Sequence, residues 1–239
     1  MLDLRAAAWS SVGKKLITGL TGLGLVVFVT VHLIGNLTIF MGAEAFNAYS
    51  DFLASLLHGW FIVLADLGLV GFFGLHAWSG LSVWQSKRRA RSSGYAVSAD
   101  ARGPSRKTAS SRSMLYSGIF LGIYVVLHVW HLKFGAEYVT TLHGEEVRDL
   151  YRLVVEQFNR PAIALAYALS MLFLGLHLRH GVWSMLQSLG MLNRRLLPTA
   201  YGAALILGGL LAIGFLVLPL YVLFFVDPVG TAAAMGGLR

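Results

Sequence analysis

Apolar residues gather into five long runs, at about 16 to 40, 59 to 84, 114 to 134, 161 to 188 and 199 to 226. At about 1.5 Å of rise per residue, each run read as a helix spans a hydrocarbon core of roughly 30 Å. Helix is the required conformation, because lipid offers no water to satisfy backbone N–H and C=O groups. The pattern predicts an all-α integral membrane protein, one domain over residues 1–239, with five transmembrane helices in a bundle.

The polar stretches between the runs set the topology. Residues 85–113 carry Lys87, Arg88, Arg89, Arg91, Arg102, Arg106, Lys107 and Arg112 against Asp100 alone. The positive-inside rule makes this a cytoplasmic loop, one that rests on anionic headgroups or docks an acidic face of a soluble partner. Arg5, Lys14 and Lys15 before the first run, and Arg194 and Arg195 before the fifth, fall on the same side. The expected protein is therefore multi-pass in the cell inner (cytoplasmic) membrane, with its N-terminus cytoplasmic and its C-terminus outside, near Asp227-Pro228.

Two outer segments have helical amphipathicity. Residues 42–57 space Phe46, Tyr49, Phe52, Leu53 and Leu56 along one face, which predicts a short helix on the membrane surface. Residues 144–159 place Val147, Leu150, Tyr151, Val154, Val155 and Phe158 on one face, with Glu145, Glu146, Asp149, Arg152 and Glu156 around them. A second surface helix is expected there, with Pro161 starting the next one.

Composition narrows the chemistry. With 56% apolar residues and a mean hydropathy of +0.68, the 239-residue chain is far more apolar than a globular domain. No segment between runs is long enough for a separate soluble domain, so chemistry that needs a large aqueous site belongs to another chain. There are no cysteines, hence no disulfides, thiolate nucleophiles or thiolate-held clusters. The formal charge of +8 lies in the loops and does not indicate nucleic-acid binding. The first run is too long for a signal-peptide core and is expected to be retained.

Four histidines, His32, His76, His128 and His177, lie deep in four different runs. Counted from the polar residue at each helix entry (Lys15, His58, Arg112 and Arg160), every one lies roughly 16 to 18 residues in, about 25 Å along its helix. Successive helices run in opposite directions, so His32 and His128 fall in one layer, towards the outside, and His76 and His177 in another, towards the cytoplasm. Two imidazoles at one depth on different helices can supply both axial ligands of a haem iron. Two layers would hold two haems b, with irons roughly 15 to 20 Å apart along the bilayer normal. A single histidine on an apolar face is more often a packing residue, but ionisable groups in a membrane are costly and mark function.

Particular motifs sharpen this reading. Ser10-Ser11-Val12-Gly13-Lys14-Lys15, Thr21-Gly22-Leu23, His32-Leu33-Ile34-Gly35-Asn36-Leu37 and Ala45-Phe46-Asn47-Ala48-Tyr49 resemble the opening of the two-haem cytochrome b subunit of succinate:quinone oxidoreductases. The stretch from His128 to Gly135 and the run from Gly175 to Ser184 extend the likeness, which covers nearly all of the chain up to Arg195. The fifth run matches only as an apolar span.

The resemblance implies a membrane anchor of succinate dehydrogenase that carries electrons between an iron-sulfur subunit and a membrane quinone, commonly menaquinone. The succinate-oxidising site would lie on a partner flavoprotein, with both partners docked on the cytoplasmic face. His76 and His177 would hold the inner haem iron, and His32 and His128 the outer. An oligomer of complexes is compatible with this reading, and nothing in the sequence requires it.

Other polar residues have candidate roles. Asp66, about one third of the way into the second run, must be paired or protonated there, and is a candidate for proton exchange with a quinone. Arg179, His180 and Lys15, towards the cytoplasmic edge, are candidate contacts for haem propionates. His131, one turn after His128, is expected to form hydrogen bonds near the interface.

The rival readings are four. The cytochrome b of a quinol:cytochrome c oxidoreductase carries two ligands on each of two helices, whereas here each helix carries one at ligand depth. The cytochrome b of a hydrogenase or formate dehydrogenase differs in the motifs around His32 and His177. A haem-free transporter would use the histidines for protons or ions but gives no reason for two matched layers. A haem-free anchor explains the helices and not the histidines.

Overall fold

The computed structural model describes residues 9–89 and 109–227, with the backbone alone for 109–112. Much of the expected cytoplasmic loop, including Arg91, Arg102, Arg106 and Lys107, lies outside the described residues, as does Arg5.

Seven α-helices are described. In chain order they are α1 (Ser11–Asn36), α2 (Ala43–Ser55), α3 (Trp60–Arg89), α4 (Ala109–His128), α5 (Leu150–Phe158), α6 (Pro161–Ser188) and α7 (Leu197–Phe225). Five segments, built on α1, α3, α4, α6 and α7, are long and apolar enough to cross a membrane. Their outward positions are apolar, as at Val31, Leu67, Val70, Ile123, Leu210 and Ile213. Water would not tolerate such a surface, and a lipid solvent requires it.

The helices outrun their apolar cores where polar residues continue the hydrogen-bonded ladder. Ser10 caps α1 by accepting from the Gly13 N–H at 3.0 Å, so α1 starts at Ser11, before the apolar run. At its other end α1 stops at Asn36 and tightens into a 3-10 turn, Leu37–Met41. Gly42, at φ 96°, ends that turn by donating to the Ile39 carbonyl. Helix α3 continues through Lys87, Arg88 and Arg89, whose charges suit the negative end of a helix. These residues therefore extend a helix and do not begin a loop. Before α3, Leu57, His58 and Gly59 have φ of 54°, 55° and 87°, and this left-handed stretch separates α2 from α3.

Within 42–57 the residues of α2 are helical, whereas the stretch 144–159 is only half helix. Val139–Leu142 and Glu145–Arg148 pair as an antiparallel hairpin. His143 and Gly144, with φ of 52° and 88°, form its two-residue turn, since paired positive φ values match the twist of the strands. Asp149 then caps α5 by accepting from the Arg152 N–H at 3.0 Å.

The described residues form two compact units. One comprises 9–28, 68–89, 109–119 and 174–209; the other comprises 29–67, 120–173 and 210–227. In the first, Trp9 packs edge-on to Trp78, and Trp183 stacks on Tyr201 at 4.9 Å. Gly24 leaves room for the Phe72 ring, 2.6 Å from where a Cβ would stand.

The second unit holds the main apolar core, which includes Ile39, Phe46, Val155, Phe158, Leu218 and Val222. A buried polar joint fastens α2 to α5. Asn47, 1% exposed, donates to the Asp149 carboxylate at 2.8 Å and accepts from the Tyr151 N–H at 2.9 Å. Arg148 closes the end of a further turn, Val129–Lys133, by donating to the carbonyls of Leu132 and Lys133. A cation at the carbonyl end of a helix is well placed electrostatically.

Asn47→Ala strips the Tyr151 N–H and the Asp149 carboxylate of a buried partner together. A loss of about 2 to 4 kcal/mol is expected, read as a lowered unfolding temperature in detergent, whereas an exposed alanine substitution such as Ser86→Ala should leave it in place.

Candidate functional site

Each unit contains one pair of the four deep histidines. In the first, His76 on α3 and His177 on α6 have ring centres 6.3 Å apart, with planes at 68°. In the second, His32 on α1 and His128 on α4 have ring centres 5.9 Å apart, with planes at 88°. The partners in space are the ones that equal helix depth pairs in the sequence.

Neighbouring helices hold the first pair at defined atoms. His76 Nδ1 lies 3.2 Å from the Thr18 carbonyl of α1. A carbonyl can only accept, so Nδ1 carries the hydrogen and donates, leaving the lone pair on Nε2. Thr18 is itself tied to α3, its hydroxyl hydrogen-bonded to Ser79 at 2.7 Å and 2.8 Å from the Lys14 carbonyl of its own helix, while Ser79 lies 3.2 Å from the His76 carbonyl. Thr21 Oγ1 also approaches His76 Nδ1, at 3.5 Å, while donating to the Ile17 carbonyl. The ring lies directly on α1: a Cβ at Gly22 would stand 3.1 Å from His76 Cε1.

His177 is held in the same manner from α4. Its Nδ1 is 3.2 Å from Ser117 Oγ, and the Ser117 hydroxyl has the Met114 carbonyl as a second neighbour at 3.2 Å. Only one of these can receive the single hydroxyl hydrogen, and Met114 O can do nothing but accept. With the hydroxyl donating to Met114, its oxygen is placed to accept from His177 Nδ1–H, the tautomer that leaves the lone pair on Nε2. Gly118 gives the ring its space, 3.4 Å from where a Cβ would be. Among the described residues no hydrogen bond engages Nε2 of His76 or His177.

Aromatic rings surround the second pair. His128 has Tyr124 at 5.7 Å and Tyr167 at 5.9 Å, and His32 has Phe215 at 5.8 Å. The Asn36 amide nitrogen is 3.5 and 3.4 Å from Nδ1 and Nε2 of His32, and it donates to the His32 carbonyl at 2.7 Å. Among the described residues, His128 Nδ1, His131 Nδ1 and the Tyr167 hydroxyl are buried with no hydrogen-bond partner. His131, expected to form hydrogen bonds, instead lies with its ring near-parallel to Tyr167 at 6.4 Å. It sits in the π-helical turn Val129–Lys133, which follows His128 directly. Such turns recur at functional sites.

The remaining candidates have separate surroundings. Asp66 is ion-paired with Lys133, both side chains half-exposed. Lys15 and Arg179 are exposed, and His180 is half-buried with its ring 5.9 Å from Trp183. Ser117, Ser79, Thr18, Tyr124 and Tyr167 carry no obvious sequence signal. The available hint is a hydroxyl residue inside an apolar run, such as Ser79 three positions after His76.

The pair geometry admits a metal between the rings. An imidazole nitrogen sits about 2 Å from a first-row metal ion and about 1.1 Å from its own ring centre, so rings on opposite sides of one ion have centres about 6 Å apart. Packed aromatic rings also occupy this range. In the first unit each ring also has its Nδ1 beside an oxygen, an arrangement that ligand histidines characteristically share.

In comparisons with protein-family models, curated protein sequences and solved structures, nothing matches the chain.

Within a membrane, removing one partner of the Asp66–Lys133 pair leaves a lone charge. Asp66→Ala and Lys133→Ala should each lower the unfolding temperature more than the double substitution does. A double variant as unstable as the sum of the two would exclude coupling.

Proposed function

We propose that this protein is a membrane-embedded cytochrome b that holds two haems b, one between His76 and His177 and one between His32 and His128. The observation that carries the reading is the first pair, whose ring centres lie 6.3 Å apart with both Nδ1 atoms beside oxygens. The second pair supports it by its spacing, the ring centres of His32 and His128 lying 5.9 Å apart on two different helices. A haem iron with two imidazole ligands exchanges one electron between ferric and ferrous states without needing an open coordination position.

The chain's own work is to hold and orient the ligands and to exclude water. The Thr18 carbonyl and Ser117 hydroxyl set the ring orientations and the tautomer in one pair. Aromatic rings from Tyr124, Tyr167 and Phe215 enclose the other. Lys15, Arg179 and His180 stand as propionate contacts of the inner site.

The motifs around His32 and His177 extend the proposal to a specific role. The protein acts as the membrane subunit of a succinate:quinone oxidoreductase, passing electrons between an iron-sulfur partner on the cytoplasmic face and a quinone, with menaquinone favoured. A flavoprotein partner carries the succinate chemistry. The basic segment that begins at Lys87 supports cytoplasmic docking, and the run of charge along the chain supports a cytoplasmic N-terminus. Asp66, joined to Lys133, is the candidate for proton exchange with the quinone.

Haem content tests the proposal. His76→Ala or His177→Ala should remove one of the two haems and leave the other, and His32→Ala or His128→Ala should do the converse, measured by pyridine haemochrome on purified chain. Full haem content in any of these four variants would remove that residue from the ligand set, as would loss of a haem from His131→Ala or His180→Ala in its place.

A further inference from the structure

The two histidine pairs differ in what stands behind the ligand atoms, and one side chain accounts for much of the difference. Ser117 is fully buried in α4, its hydroxyl hydrogen directed to the Met114 carbonyl and its oxygen facing His177 Nδ1 at 3.2 Å. The Thr18 carbonyl plays the corresponding part for His76, but it is backbone and persists under substitution. In the second unit, His128 Nδ1 has no such acceptor among the described residues. A buried serine that only packed would satisfy its hydroxyl on its own helix, as Ser170 does with the Ala166 carbonyl. Ser117 makes that bond and also offers a lone pair to a ring 60 residues away.

We infer that Ser117 is a positioning residue for the His76–His177 site: by accepting from Nδ1–H it fixes the His177 tautomer, aims Nε2 at the metal position and raises the basicity of that ligand. The inference rests on the two-haem proposal. Its chemistry follows from the hydrogen bond. An imidazole whose distal N–H is held by an oxygen acquires partial imidazolate character and donates more strongly, which favours the ferric state. Removing the acceptor weakens that donation, so the midpoint potential of this site rises. The site held by His32 and His128 has no part in this hydrogen bond and keeps its potential.

The test uses the full chain with Ser117→Ala and Ser117→Thr, measured by haem content, low-spin ferric electron paramagnetic resonance and optical redox titration. The signal of the site is identified beforehand as the one missing from His177→Ala. In Ser117→Ala that signal should shift and its potential rise while the other signal stays fixed, and Ser117→Thr, which keeps the hydroxyl, should match the parent. Selective loss of this haem from the alanine variant with retention in the threonine variant would equally support the role. An alanine variant with both signals and both potentials unchanged would overturn it. Loss or shift in both variants alike would also overturn it, because packing alone would then be responsible. A parent chain without any haem would overturn the two-haem proposal itself, an outcome distinct from haem that is present and indifferent to Ser117.

Discussion

Inside a hydrocarbon solvent, a polar atom without a partner costs more than almost any other local feature, and this rule organises the molecule. The long helices satisfy their own backbones. The few polar side chains left within them must then find each other. His76 finds the Thr18 carbonyl, His177 finds Ser117, Asp66 finds Lys133, and Thr18 finds Ser79. Outside the long helices the same rule produces the Asn47–Asp149 joint that secures α2 to α5.

The rule also makes its exceptions informative. His128 Nδ1, His131 Nδ1 and the Tyr167 hydroxyl are buried without partners among the described residues, in rings that pack around one of the two histidine pairs. Atoms of this kind cost about 1 to 3 kcal/mol each when nothing pairs with them. They mark that pair as chemically unlike the other, where both Nδ1 atoms are held by oxygens. On the two-haem proposal, identical imidazole ligands therefore work in different second surroundings, and such surroundings tune a metal site.

Much of this was legible in the sequence because membrane depth is a one-dimensional quantity. Helix rise and alternating direction suffice to pair His32 with His128 and His76 with His177. The partners of those histidines were not legible, since Ser117 is 60 residues from His177 and hydroxyl residues are common in apolar helices. Asp66 announced that it needed a partner, but not that Lys133, 67 residues on, would supply it. The hairpin at Val139–Arg148 was missed for a different reason. Over four residues, Glu145-Glu146-Val147-Arg148 fits a helical and an alternating pattern alike, and the deciding feature is the left-handed backbone at His143 and Gly144. The helix ends shifted because capping by Ser10, and the helical preference of Lys87 to Arg89, act outside the apolar runs.

Whether the paired histidines ligate haem is read from a reduced-minus-oxidised absorption spectrum with pyridine haemochrome quantitation on the purified chain. A b-type spectrum with two haems per chain, reducible by succinate when the flavoprotein and iron-sulfur partners are present, is the expected result. A purified, folded chain without haem would contradict it, and the histidine pairs would then have to be explained as packing or as part of a proton or ion path.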